Sequence, residues 1–92
     1  MWYVYILRCN DDSLYTGVTS NLENRLVRHN KGRASKYTRA RRPVELLYAE
    51  EFDNKSSALS REIEIKDFSV ENKRKLIQFG IGQRFPSAQE KK

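Results

Sequence analysis

A chain of 92 residues, 38% of them hydrophobic, has room for one small core and not for two. One Cys and one His allow no internal disulfide and too few ligands for a zinc site, and no apolar run approaches the roughly 20 residues that span a bilayer. The formal charge of +6 is gathered: Arg25, Arg28, Lys31, Arg33, Lys36, Arg39, Arg41 and Arg42 follow one another with no Asp or Glu between Asn24 and Val44, whereas Glu45 to Glu71 holds eight acids against Lys55, Arg61 and Lys66. Such a positive side is the footprint of a phosphate-rich partner, nucleic acid first, with a basic loop kept soluble by its own charge as the plainer alternative. The segment Met1 to Arg8 has neither a basic leader nor a small-residue cleavage site, so a cytoplasmic chain without membrane contact is expected.

Trp2 to Cys9 places bulky residues on both parities and reads as a strand covered on both sides. Turn chemistry at Asn10-Asp11-Asp12-Ser13 then leads into a second strand, Leu14 to Thr19, so the two form a hairpin. Gly17 is its odd residue, marking a bulge or a close approach to the backbone. Ser20-Asn21-Leu22-Glu23 has capping-box spacing and Gly32 supplies a left-handed stop, which predicts a helix from about Asn21 to Lys31. Its buried stripe is Leu22, Leu26 and Asn30, with Val27 at one edge and Arg25 and His29 along the other. Gly32 to Pro43 reads as an exposed cationic loop. Val44 to Phe52 makes a third strand. Asp53 or Asn54 caps a helix from about Lys55 to Asp67, and Ser69 caps another that Gly80 ends. Residues 1–80 are thus the expected domain, and residues 81–92, with Pro86 and little to bury, a flexible tail.

Glu62 falls near the middle of the apolar arc of Ala58, Leu59, Ile63 and Ile65, where an unpaired charge is costly. Lys66 four residues on offers an ordinary ion pair; the functional reading is a carboxylate that binds a divalent cation. Arg25 reads either as a solvated or ion-paired helical arginine, or as a planar cation suited to a phosphodiester under attack. His29 is either a surface hydrogen-bonding histidine or a proton acceptor. Tyr5 and Tyr15 are core aromatics on the plainest reading, and share the parity of Gly17, so that they also qualify to orient a water. Cys9, in a strand-like run, shows no sign of activation.

In order, Tyr3-Val4-Tyr5, Tyr15-Thr16-Gly17, Arg25 with His29, and Ala58-Leu59-Ser60-Arg61-Glu62 resemble the signature of the GIY-YIG nuclease domain, over about Trp2 to Ile77. Tyr37-Thr38, Pro43-Val44-Glu45-Leu46 and Glu64-Ile65-Lys66 are similar to the small bacterial members in which the domain stands alone. The resemblance implies an α+β domain, a three-stranded and mainly antiparallel sheet flanked by about three helices. It also implies hydrolysis of DNA phosphodiesters with one Mg²⁺ or Mn²⁺. Tyr5 and Tyr15 would line the catalytic face, Gly17 would let backbone and substrate come close, and Arg25 would stabilise the developing phosphorane charge. Glu62 would bind the metal, and His29 matches a histidine found in some members. The first motif lacks the family's glycine, and Val18 stands where excision-repair relatives carry a lysine.

The expected function is therefore a metal-dependent DNA endonuclease of repair or processing, selective for structure rather than sequence. Arg28, Lys31, Arg33, Lys36, Tyr37, Arg39, Arg41 and Arg42 are the candidate nucleic-acid contacts. Its partner would be DNA, branched or nicked forms included, with RNA left open, and a further protein could supply target choice. The alternatives are a nucleic-acid-binding module with a vestigial site and a purely structural partner-binding domain.

Overall fold

The computed structural model describes residues 1–85. In chain order these form β1 (Trp2–Arg8), β2 (Leu14–Thr19), α1 (Leu22–Asn30), α2 (Lys36–Arg39), β3 (Glu45–Phe52), α3 (Lys55–Lys66), α4 (Val70–Phe79) and β4 (Gln83–Arg84). All strand pairs are antiparallel, in the order β2-β1-β3-β4. The class is the expected α+β, with four strands and four helices where three of each were anticipated. β1 is central. Val4, Ile6 and Leu7 are fully enclosed, each contributing roughly 1.5–3 kcal/mol through burial.

The pleat sorts the core into two layers. Val4, Ile6 and Tyr48 face α3 and α4, packing with Ala58, Ile65, Phe68, Leu76 and Ile77. Tyr5, Leu7 and Ala49 face α1, packing with Leu22 and Leu26. The second layer carries Tyr5 and Tyr15, because Tyr5 pairs with Gly17 and Leu7 with Tyr15 across the hairpin.

Several expectations change. α1 is capped by Asn21, whose side chain accepts from the Asn24 amide, and Ser20 lies outside the helix. Gly32 does take the left-handed conformation, with φ of 77°. The stripe of α1 is rotated: His29 is completely buried, Val27 is half exposed, and exposed Asn30 instead brackets Val44, accepting from its amide at 2.8 Å and donating to its carbonyl at 3.1 Å. On α3 only Ala58 and Ile65 are buried, while Ile63 is 69% exposed. The presumed loop from Gly32 to Pro43 contains α2, capped by Ser35. The tail expectation also shifts, since Gln83 and Arg84 pair with Ala49 and Tyr48 and the Phe85 amide donates to the Leu47 carbonyl. Pro86 to Lys92 lie outside the described residues.

Candidate active site

The hydroxyl end of the Tyr5 ring packs against Gly17. A Cβ at residue 17 would collide with the Tyr5 hydroxyl and ring, so a glycine is required there by the tyrosine beneath it. Its hydroxyl is 2.8 Å from His29 Nε2, and His29 Nδ1 is 2.7 Å from the Thr38 hydroxyl, with all three residues buried. Tyr15 packs edge-on against His29, with ring centroids 5.2 Å apart, and stacks on Tyr37 at 6.0 Å. The Arg41 guanidinium covers the Tyr37 ring at 3.8 Å. Both strands of the hairpin, α1 and α2 thus meet at one imidazole.

Charge converges on the same place. Burial pushes the Tyr5 phenol well above its ordinary value; neighbouring Tyr15 and Glu62 push the same way, and Arg25 opposes them. Burial also holds His29 down to about 4, helped by Arg25 and Arg28, so the imidazole is neutral at pH 7. The guanidinium of α1 and the carboxylate of α3 are therefore both felt at one hydroxyl. Glu62 has its side chain 14% exposed and pairs with Lys66 Nζ at 3.2 Å, so the ordinary i,i+4 ion pair is formed. Lys66 is 53% exposed at its side chain, which makes the pairing a weak hold of under about 1 kcal/mol.

No set of three or more His, Cys, Asp or Glu capable of holding a metal occurs among the described residues. A single shielded carboxylate nevertheless fits an ion such as Mg²⁺, which keeps several waters and completes its shell with substrate phosphate. Glu62 would be that carboxylate.

The void bordered by Tyr5, Leu7, Leu22, Arg25, Leu26 and Leu46 has no room even for a water-sized molecule, against the roughly 300–1,000 Å³ of small-molecule sites. A wider cleft lined by Tyr3, Glu50, Phe52, Arg61 and Gln83 includes neither Tyr5, His29 nor Glu62. The geometry suits a substrate that lies over the surface.

The cationic segment is pinned to this site. Asn30 clasps Val44 at its base, and Arg41 Nε reaches Asp11 Oδ2 at 3.0 Å at the hairpin tip. In between, Thr38 holds His29. Arg28, Lys31, Arg33, Lys36, Tyr37, Arg39 and Arg42 are exposed, and Arg41 is half-buried by its contacts. Sequence reasoning quoted Thr38 only within the Tyr37-Thr38 pair and missed its contact with His29, and it missed Ser35. The available signal was the spacing Ser35-x-x-Thr38, an N-cap followed by its N3 amide, hidden by the surrounding charge.

An antiparallel sheet carrying two tyrosines, with an arginine from one flanking helix and a glutamate from another, is the arrangement of a nuclease domain. The chain belongs to the GIY-YIG family, whose catalytic domain matches residues 1–75. It is 55% identical over 78 residues to the UPF0213 protein of Staphylococcus saprophyticus, covering 85% of this chain and 95% of that one. It is 53% identical to the UPF0213 protein of Haloquadratum walsbyi, covering 85% and 88%. The solution NMR structure of a UPF0213 protein from Bacillus halodurans is similar, with a TM-score of 0.55, 40% identity and coverage of 85% and 84%. No helix among the described residues is long and apolar enough to cross a membrane.

Proposed function

We propose that this chain is an endonuclease that hydrolyses DNA phosphodiesters with one Mg²⁺ or Mn²⁺ ion. On this reading it is selective for nicked, branched or otherwise distorted DNA and works in cytoplasmic repair or processing. The observation that carries the reading is the buried chain from Tyr5 through His29 to Thr38, with Arg25 and Tyr5 bordering the same small void. In this mechanism an attacking water gives its proton to the Tyr5 oxygen, and the phenolic proton passes to His29 Nε2. That transfer spares the site a free phenolate, which burial strongly disfavours. Arg25 binds the non-bridging oxygens and meets the charge that grows on them. Bound phosphate also offsets the Arg25 charge that depresses His29, making the imidazole a better acceptor once substrate is present. Glu62 would hold the metal, whose chemistry is Lewis-acid stabilisation of the departing 3′ oxygen. Exposed cations from Arg28 to Arg42 follow the phosphate backbone, and the same face takes a protein partner that supplies target choice.

The test is a cleavage panel of single-stranded, duplex, nicked, flap and junction DNA with each metal. Arg25→Ala and Glu62→Ala should each abolish cutting while binding stays within a few-fold. Cutting that persists equally in both variants would assign the activity to a contaminant. The Glu62–Lys66 pair favours a second reading, a nucleic-acid-binding module with a vestigial site. That module would bind with steep salt dependence and turn over nothing with either metal.

A further inference from the structure

Thr38 carries a role that neither motif nor charge assigns. It is fully buried at the start of α2, and its hydroxyl oxygen contacts three groups: His29 Nδ1 at 2.7 Å, Ser35 Oγ at 2.9 Å and the Ser35 carbonyl at 3.4 Å. At the other end of the imidazole, the Tyr5 hydroxyl has His29 Nε2 as its hydrogen-bond partner among the described residues. Two proton arrangements are conceivable. If Nε2 carried the imidazole proton, it would donate to Tyr5, and the buried phenolic proton would be left without an acceptor among the described residues. If Nδ1 carries it, every donor is satisfied: Tyr5 donates to Nε2, Nδ1 donates to Thr38, and Thr38 donates to Ser35. Leaving a buried donor unmade costs about 1–3 kcal/mol, enough to decide between tautomers.

We propose that Thr38 is a positioning residue that, by accepting the Nδ1 proton while Tyr5 donates to Nε2, holds the single histidine in its Nδ1–H tautomer and leaves Nε2 free to take the Tyr5 proton. Its catalytic consequence rests on the nuclease reading above. The tautomer itself does not. The same contact joins the cationic segment to the proton path, because the Ser35 hydroxyl that caps α2 touches the Thr38 hydroxyl that fixes His29. A nucleic acid gripping Lys36 and Arg39 would therefore steady the acceptor as well as the strand.

With one histidine in the chain, the tautomer can be read directly from long-range ¹H–¹⁵N correlations on ¹⁵N-histidine-labelled protein at pH 7, without nucleic acid or metal. The wild type should show a protonated Nδ1 and an unprotonated Nε2. Thr38→Ser should keep that pattern and Thr38→Val should lose it, populating Nε2–H. A wild type in the Nε2–H form, or a Thr38→Val protein that retains Nδ1–H, overturns the proposal. Should Thr38→Val not fold, the wild-type spectrum decides by the same criterion. On nicked duplex with Mg²⁺, Thr38→Val should lower kcat at least about tenfold with KM little changed, and Thr38→Ser should restore it. Equal loss in both variants would mean that Thr38 acts by packing alone. A wild type that cuts nothing removes the nuclease reading, and the spectrum still determines whether Thr38 sets the tautomer.

Discussion

His29 is the residue at which burial and charge act together most strongly. Desolvation lowers its pKa to about 4, with Arg25 and Arg28 adding repulsion, while Tyr5 and Tyr15 close it in. An unfolded chain would instead titrate this imidazole near 6.5. Between those values the unfolded state binds a proton that the folded state refuses, so stability must rise with pH. The contribution is fully present above about pH 6.5 and is lost as pH falls toward 4, amounting to roughly 2–3 kcal/mol. Urea denaturation at pH 7 and at pH 4.5 should show wild type losing more stability than His29→Gln by about that amount. Parallel losses in the two proteins would mean that His29 is solvated in the native state.

At the scale of elements, the strands were legible because alternation and turn chemistry do not depend on partners: β2 appears at Leu14–Thr19 as expected. Helix α3 is legible in its limits, and helical arithmetic alone sets Glu62 apart from the exposed Glu64. What sequence could not show was which neighbour covers a face. His29 was placed on an open edge because α2 was unseen, and α2 was unseen because one helical turn leaves no period to detect. β4 was missed for a similar reason, since two residues carry no alternation and their pairing depends on β3. The anchor of that region is a polar cluster: Arg61 donates to both oxygens of Glu50, Tyr48 donates to Glu50 at 2.6 Å, and the Gly82 amide donates to Tyr48. Burial alone would raise the Glu50 carboxyl, but Arg61 and Tyr48 together hold it below its usual range.

That cluster fixes α3 from the residue next to Glu62, which sharpens the role of the exposed Lys66. If Arg61 already orients the helix, Lys66 only competes with a cation for the carboxylate. Lys66→Ala should leave the unfolding midpoint nearly unchanged, within about 0.5 kcal/mol, and lower the Mg²⁺ concentration that gives half-maximal cutting. A higher metal requirement in that variant would show that Lys66 assists at the phosphate instead.

Across the whole molecule the charge is arranged in two opposed blocks, yet the basic block is not uniform. Arg41 is committed internally: it pairs with Asp11, donates to the Tyr37 carbonyl at 2.9 Å and covers the Tyr37 ring. Lys36 and Arg39 are exposed and take part in no ion pair among the described residues. Each phosphate neutralised on duplex DNA releases counterions and contributes about −0.9 to the slope of log K against log salt. Lys36→Ala and Arg39→Ala should therefore each make that slope shallower by about one while leaving the fold intact. Arg41→Ala should change the slope little and lower stability, because it removes the side-chain ties to Asp11 and Tyr37 and leaves the hairpin tip held there by the Asn10 amide on the Arg41 carbonyl. Binding titrations from low to moderate salt, paired with thermal unfolding of the same three proteins, separate the cations that meet a strand from the one that holds the segment in place. An unchanged slope in both Lys36→Ala and Arg39→Ala would move the nucleic-acid path off α2, and leave its positive charge a matter of solubility.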